Sequence, residues 1–252
     1  MTVPAQAQTQ ASAQASAQAP AMAVSPCGAL WVRLNGRPAQ LRVSGALWLE
    51  AERTLVAADL HLEKGSAYAA RGQLLPPYDT PATLSRLEAE ARALSPARIV
   101  LLGDSFHDAR GADRMASRDH ARIAALADAA ELVWIVGNHD AEGLDDLPGR
   151  RADALEVEGL VLRHEPQPGL APGEVAGHPH PCAKVAAARR SVRRRCFATD
   201  GSRLILPAFG AYAGGLNLLD GAYQGLFRRP PTAAALGADR VHPLPWTRLR
   251  PD

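Results

Sequence analysis

Four short segments of this chain end strand-like apolar runs in residues that bind metal ions: Asp59-Leu60-His61, Gly103-Asp104, Gly137-Asn138-His139-Asp140, and His164 followed by Gly177-His178-Pro179-His180. In that order they offer enough carboxylate, amide and imidazole donors for two adjacent divalent cations. Two such ions polarise a phosphoryl group and acidify a water, so these residues point to hydrolysis of a phosphate ester. An Asp-x-His alone is common by chance, and Gly-Asn-His-Asp alone could be a polar turn. The ordered set is harder to explain by packing, because six of the eight histidines lie in or near these turns.

The spacing assigns roles. Asp59 and His61 stand two residues apart, so beyond a strand end both side chains can turn toward one cation. Asp104, after a tight glycine turn, has two carboxylate oxygens that can bridge two cations about 3.5 to 4 Å apart. Asn138 gives a neutral oxygen to the second cation, His164 and His178 complete it, and His180 returns to the first. His139, next to Asn138, is the candidate catalytic residue, placed to stabilise the phosphoryl group or to protonate the departing alkoxide. This mixed donor set suits Mn²⁺, Fe²⁺ or Zn²⁺ better than Mg²⁺ or copper.

The elements that must position these residues alternate. Strands are expected over 29–34 and 46–50, around the turn at 35–38, and a buried strand over 54–58 runs into Asp59. A helix over 80–94 starts with Thr80 and Pro81 and repeats Leu84, Leu87, Ala91 and Leu94 on one face. A strand over 98–102 ends at Gly103-Asp104, a helix covers 119–130, and a strand over 132–136 delivers Gly137-Asn138-His139. That alternation predicts an α/β sheet with its site beyond the carboxyl ends of the strands. The second half changes character, with hairpins at 155–163 and 191–206 and a strand over 174–176, which implies a second, largely antiparallel sheet.

At 252 residues with a net charge of +2, the chain is long enough for one sizeable domain and is no polycation. Residues 1–26, Ala/Gln-rich and without charge, read as a disordered tail lacking the marks of a secretory signal, and 27–252 as one domain. Every apolar run is broken before it reaches membrane-spanning length. Three irregularly spaced cysteines, Cys27, Cys182 and Cys196, fit a reducing cytoplasm and exclude a zinc ribbon. Lys64 and Lys184 are the only lysines, so nearly all positive charge is arginine.

The chain resembles the calcineurin-like metallophosphoesterases over roughly 47–226. Within that superfamily it is most similar to the bacterial ligase-associated DNA damage response endonucleases. The resemblance rests on Ala58-Asp59-Leu60-His61-Leu62-Glu63-Lys64-Gly65, Leu102-Gly103-Asp104-Ser105-Phe106-His107, His164-Glu165-Pro166, Gly177-His178-Pro179-His180-Pro181 and Leu206-Pro207-Ala208-Phe209-Gly210. It implies a four-layer α/β/β/α sandwich of two mixed sheets, a dinuclear centre with manganese favoured, and DNA as substrate with a DNA ligase or helicase as partner. One departure is that Asp108 falls one place later than the acidic residue many members carry after the motif's Asp. The densest charge, Arg189, Arg190, Arg193, Arg194 and Arg195, reads either as a solvated hairpin edge or as a phosphate-binding patch, with Arg193, Arg194 and Arg195 the candidates for substrate contact. Two other readings stay open: a phosphatase or phosphodiesterase on small nucleotides, and a non-catalytic scaffold, against which the full ligand set counts.

Overall fold

Five antiparallel strands lead into the first motif: Met22–Val24 (β1), Leu30–Leu34 (β2), Arg37–Leu41 (β3), Leu47–Leu49 (β4) and Thr54–Ala58 (β5). In this computed structural model the described residues are 22–137, 144, 146–187 and 190–252. Most of the expected tail lies outside them, and within its last residues Met22–Val24 forms an edge strand against β2.

From β5 onward the sheet turns parallel, through Arg98–Leu102 (β6), Glu131–Ile135 (β7) and Arg150–Ala152 (β8). The connections carry the helices Lys64–Ala69 (α1), Asp79–Leu94 (α2), Gly111–Arg114 (α3) and Ser117–Ala129 (α4). Strands β5 and β6 are apolar on both faces because both are covered. Leu55, Ala57, Ile99 and Leu101 pack under Leu84, Leu87, Ile123 and Leu126 of the helices, while Val56, Ala58, Val100 and Leu102 face the second sheet.

That second sheet contains Ala154–Val157 (β9), Leu160–Arg163 (β10), Glu174–Ala176 (β11), Pro181–Ala187 (β12), Arg190–Thr199 (β13), Leu204–Ile205 (β14), Leu216–Asn217 (β15), Thr232–Leu236 (β16) and Val241–Leu244 (β17). The β9–β10 and β13–β14 hairpins form where their turns predict, the first through Glu158 and Gly159, both at positive φ. The sheet is largely antiparallel, as expected, but three of its pairings, β10–β11, β11–β14 and β12–β15, are parallel. Alternation fixes which face a strand buries but not which neighbour it takes, so the sequence could not supply those pairings.

Leu162, Val175, Phe197, Leu204 and Leu206 complete the core between the sheets. The outer face of the second sheet buries Ala183, Cys196 and Ala198 with Leu218, Tyr223 and Leu226. Its cover is thin, including the 3₁₀ turns Gly221–Tyr223 and Trp246–Arg248. The architecture is therefore the expected layered sandwich of two mixed sheets, with its α-helical layer on the first. Among the described residues no helix is long and apolar enough to cross a membrane.

Candidate metal centre

The first two motifs are held together because the parallel pairing of β5 and β6 continues past the strand ends. The amide of Asp59 donates to Gly103 O at 3.2 Å, that of His61 to Asp104 O at 2.9 Å, and that of Leu62 to Ser105 O at 2.8 Å. Leu60 and Leu62 are buried, so the alternating Asp59 and His61 turn the other way, beside Asp104. Several of these residues adopt left-handed backbone conformations: Asp59 (φ 54°), His61 (φ 44°), Asp104 (φ 44°), His178 (φ 72°) and His180 (φ 46°). Non-glycine residues rarely take that region unless the surroundings hold them there, and such strain gathers at ligand-binding loops.

The second sheet brings the imidazoles. His164 follows β10, His178 follows β11 and His180 precedes β12. The amide of His178 donates to both carboxylate oxygens of Asp59, at 3.0 and 3.2 Å, and the amide of Gly177 donates to His164 O at 2.9 Å. Gly103, at φ 65°, passes directly under the His164 ring, and a Cβ there would overlap it.

Two donor clusters result. Asp59, His61, Asp104 and His180 have ligand atoms within 4.8 Å of one another, and so do Asp104, His164 and His178. Asp104 belongs to both. His61 Nε2 faces His180 Nε2 at 3.2 Å, with rings steeply inclined at 77°, and His178 Nδ1 faces His164 Nε2 at 3.2 Å with rings at 82°. Two nitrogens bonded to one ion at about 2.1 Å, roughly 100° apart, would stand about 3.2 Å from each other. His164 Nδ1 donates to Leu102 O at 3.1 Å, and because a carbonyl only accepts, the proton sits on Nδ1 and the Nε2 lone pair points into the cluster.

The electrostatics agree with a bound cation. Asp59 is fully buried, and among the described residues no lysine or arginine pairs with it, so its charge lacks a permanent counterion. Burial, and next the neighbouring His180, pull the pKa of His61 down to about 3, which keeps that imidazole neutral and able to donate a lone pair. The donor set thus fits two divalent ions.

Of the residues assigned from sequence, Asp59, His61, Asp104, His164, His178 and His180 converge. Asn138, His139 and Asp140 lie outside the described residues. Gly137, at the end of the segment leaving β7, sits so close to Asp104 that a Cβ would overlap its backbone. Asp108 pairs with Arg114 at 2.7 Å and accepts from the Arg110 amide, so it braces α3. His107 lines the cleft above the clusters, with its ring 5.6 Å from that of Tyr68. His120 is structural, its Nε2 lying 3.2 Å from Ala112 O.

The arginine cluster does not act as a unit. Arg195 turns inward and donates to the carbonyls of Ala208 and Gly210 at 2.7 and 3.1 Å, where it clamps the loop. Arg194 is exposed and folds back on Arg193 O, whereas Arg193 reaches Gly215 O at 2.6 Å on the cleft wall. Arg189 lies outside the described residues. The cleft itself, about 700 Å³, is lined by the donors His61, His178 and His180 and also by Lys64, Glu165 and Gly214. No motif assigned Lys64 a role, although a lysine is rare enough in this arginine-rich chain to be a signal.

Among solved structures, the chain resembles the crystal structure of the nuclease MPE from Pseudomonas putida, with a TM-score of 0.63 and 27% identity over 86% of this chain and 100% of that one. Two further matches are a protein of unknown function from Aquifex aeolicus (TM-score 0.36, 16% identity, 50% of this chain and 77% of that one) and the phosphoesterase Yfce from E. coli (TM-score 0.36, 19% identity, 75% and 95%). No family model and no curated protein matches the chain.

Proposed function

We propose that this chain, a calcineurin-like metallophosphoesterase by its fold and its donor set, is a dinuclear-metal-dependent phosphodiesterase that cuts DNA. The observation that carries the reading is the pair of donor clusters sharing Asp104 beside an open cleft. When bound, two divalent ions supply a Lewis acid for the phosphoryl group and an acidified water as nucleophile.

The chain's own residues do the remainder. Asp59, His61 and His180 would hold one ion, and His164 and His178 the second, together with Asn138 as assigned from sequence. Asp104, common to both clusters, would serve both ions. With its Nδ1–H fixed on Leu102 O, His164 presents the Nε2 lone pair without a rotameric search. His139, assigned from sequence, stabilises the phosphoryl charge or protonates the leaving alkoxide. The cleft, at about 700 Å³, is far larger than a phosphate group alone, which favours a diester.

A nucleic acid as substrate is supported by the resemblance to a nuclease over that protein's whole length, and DNA in particular by the resemblance noted in the sequence. The resemblance noted in the sequence extends the reading to a cytoplasmic role in DNA damage response beside a ligase or helicase, with manganese as the metal. The deciding experiment reconstitutes chelator-stripped protein with Mn²⁺, Fe²⁺, Zn²⁺ or Mg²⁺ and compares an aryl phosphodiester, an aryl phosphomonoester, and single- and double-stranded DNA. Diester and DNA cleavage restored best by Mn²⁺ is expected. Exclusive monoester hydrolysis, or turnover of small diesters with DNA untouched, would overturn the DNA reading.

A further inference from the structure

Loop 208–215 leaves the inter-sheet core at Ala208 and forms one wall of the cleft at Ala213, Gly214 and Gly215. Cations from three separate elements hold its carbonyls. Arg86 of α2 donates to Phe209 O at 2.6 Å, and Arg195 of β13 grips Ala208 O and Gly210 O. Lys64 of α1 donates to Tyr212 O at 3.1 Å, and Arg193 of β13 to Gly215 O at 2.6 Å.

Neutral carbonyls fix these side chains in place without cancelling their charge. Among the described residues Lys64, Arg86 and Arg195 make no ion pair, and Arg193 has only Asp252, at 3.3 Å and itself more than half exposed. Arg86 and Arg195 crowd one carbonyl, that of Phe209, with like charges. A guanidinium has five N–H donors, and these contacts use only part of that capacity. The amides of Gly214 and Gly215, both on the cleft wall, donate to no protein acceptor among the described residues, so the same wall has backbone N–H groups to offer as well. A single small phosphate needs one such point. Charges spread along eight residues of loop match a polymer of phosphates.

We propose that Lys64, Arg86 and Arg193, set along loop 208–215, form a phosphate track that seats the DNA strand on one side of the scissile bond. The proposal rests on the reading of the protein as a DNA phosphodiesterase. It departs from the sequence expectation, in which consecutive arginines would form the patch: Arg194 points elsewhere, and the track draws instead on residues far apart in the chain. Contacts of this kind go to phosphate, so they position a strand without reading its bases.

The test measures binding of labelled single- and double-stranded oligodeoxynucleotides to the full chain with metal chelated, over a range of salt. Neutralising one cation that binds a phosphate should lower the slope of log affinity against log salt by about 1. The triple variant Lys64→Gln/Arg86→Gln/Arg193→Gln is expected to lower the slope by about 2 to 3, while Arg194→Gln keeps the parent value. A triple variant that melts like the parent and keeps its slope, or an equal drop in Arg194→Gln, overturns the track and leaves the nuclease reading intact. A parent that neither binds nor cuts DNA yet hydrolyses the aryl diester sinks both. Should the triple variant fail to fold, Lys64→Gln and Arg193→Gln alone decide, each expected to lower the slope by about 1.

Discussion

Asp104 is the residue on which the two-ion arrangement turns, because it alone among the described residues belongs to both donor clusters. Removing its charge should therefore affect both ions, whereas removing an imidazole from one cluster should affect one. We expect Asp104→Asn to hold well under one manganese per chain and His178→Gln about one, against two for the parent, as counted by elemental analysis after dialysis. Equal losses in both variants would mean that the clusters are not separate sites joined by a bridge. His139 is assigned a different kind of role, acting on the substrate rather than holding the metal. Its replacement by alanine should leave metal content near the parent's and lower turnover by about 100- to 10,000-fold, the range spanned by general acid catalysis. A variant that lost metal together with activity would place His139 among the ligands.

At the scale of elements, the site is a set of strand ends whose loops are forced into left-handed backbone so that residues two apart can face one point. Gly103 shows how little room that leaves. Its φ of 65° and the His164 ring directly over it exclude any side chain, so Gly103→Ala should cost at least about 2 kcal/mol in denaturant unfolding and reduce metal binding as well. Unchanged stability would show that the His164 loop is free to retreat. Asp200 holds the far turn of β13–β14. Burial alone would raise its pKa, but hydrogen bonds from Ser202 and from the amides of Arg203 and Arg228 outweigh that and depress it. A depressed carboxylate stabilises the fold fully above its unfolded pKa of about 3.9 and loses that contribution as pH falls through the lower folded value. Asp200→Asn should thus be less stable than the parent at neutral pH, by about 1 to 3 kcal/mol. The gap should close as pH falls past the unfolded value and through the lower folded one, and a gap independent of pH would refute the assignment. The elements most legible in the sequence were those with apolar runs leading into a donor, such as β6. Short strands such as β8, and the alanine-rich β16, carry too little side-chain signal to announce themselves. The donors were readable because chemistry dictates their types. The cationic wall was not, because Lys64, Arg86 and Arg193 meet only through tertiary folding.

The molecule as a whole places its candidate centre at a seam. Asp59, His61 and Asp104 extend from strands of the first sheet, and His164, His178 and His180 from the second. Each donor cluster therefore contains residues of both sheets, so a bound ion ties the two halves of the sandwich together at one edge, where the apo chain relies on histidine–carboxylate contacts such as His180 to Asp59 at 3.3 Å. A ligand that binds only the folded state stabilises it by about 2.7 kcal/mol at a hundred times its dissociation constant. For a domain of this size that corresponds to a rise of roughly 5 to 10 °C in melting temperature. We expect Mn²⁺ to raise the transition of stripped protein by that order, increasing with concentration, and a chelator to reverse it. In Asp104→Asn the rise should largely vanish, because neither ion then finds its full set of donors from both sheets. If stripped and loaded protein melted together, the ions would not be bridging the sheets, and the seam would have to be held by the inter-sheet core of Val56, Val100, Leu162 and Phe197 alone.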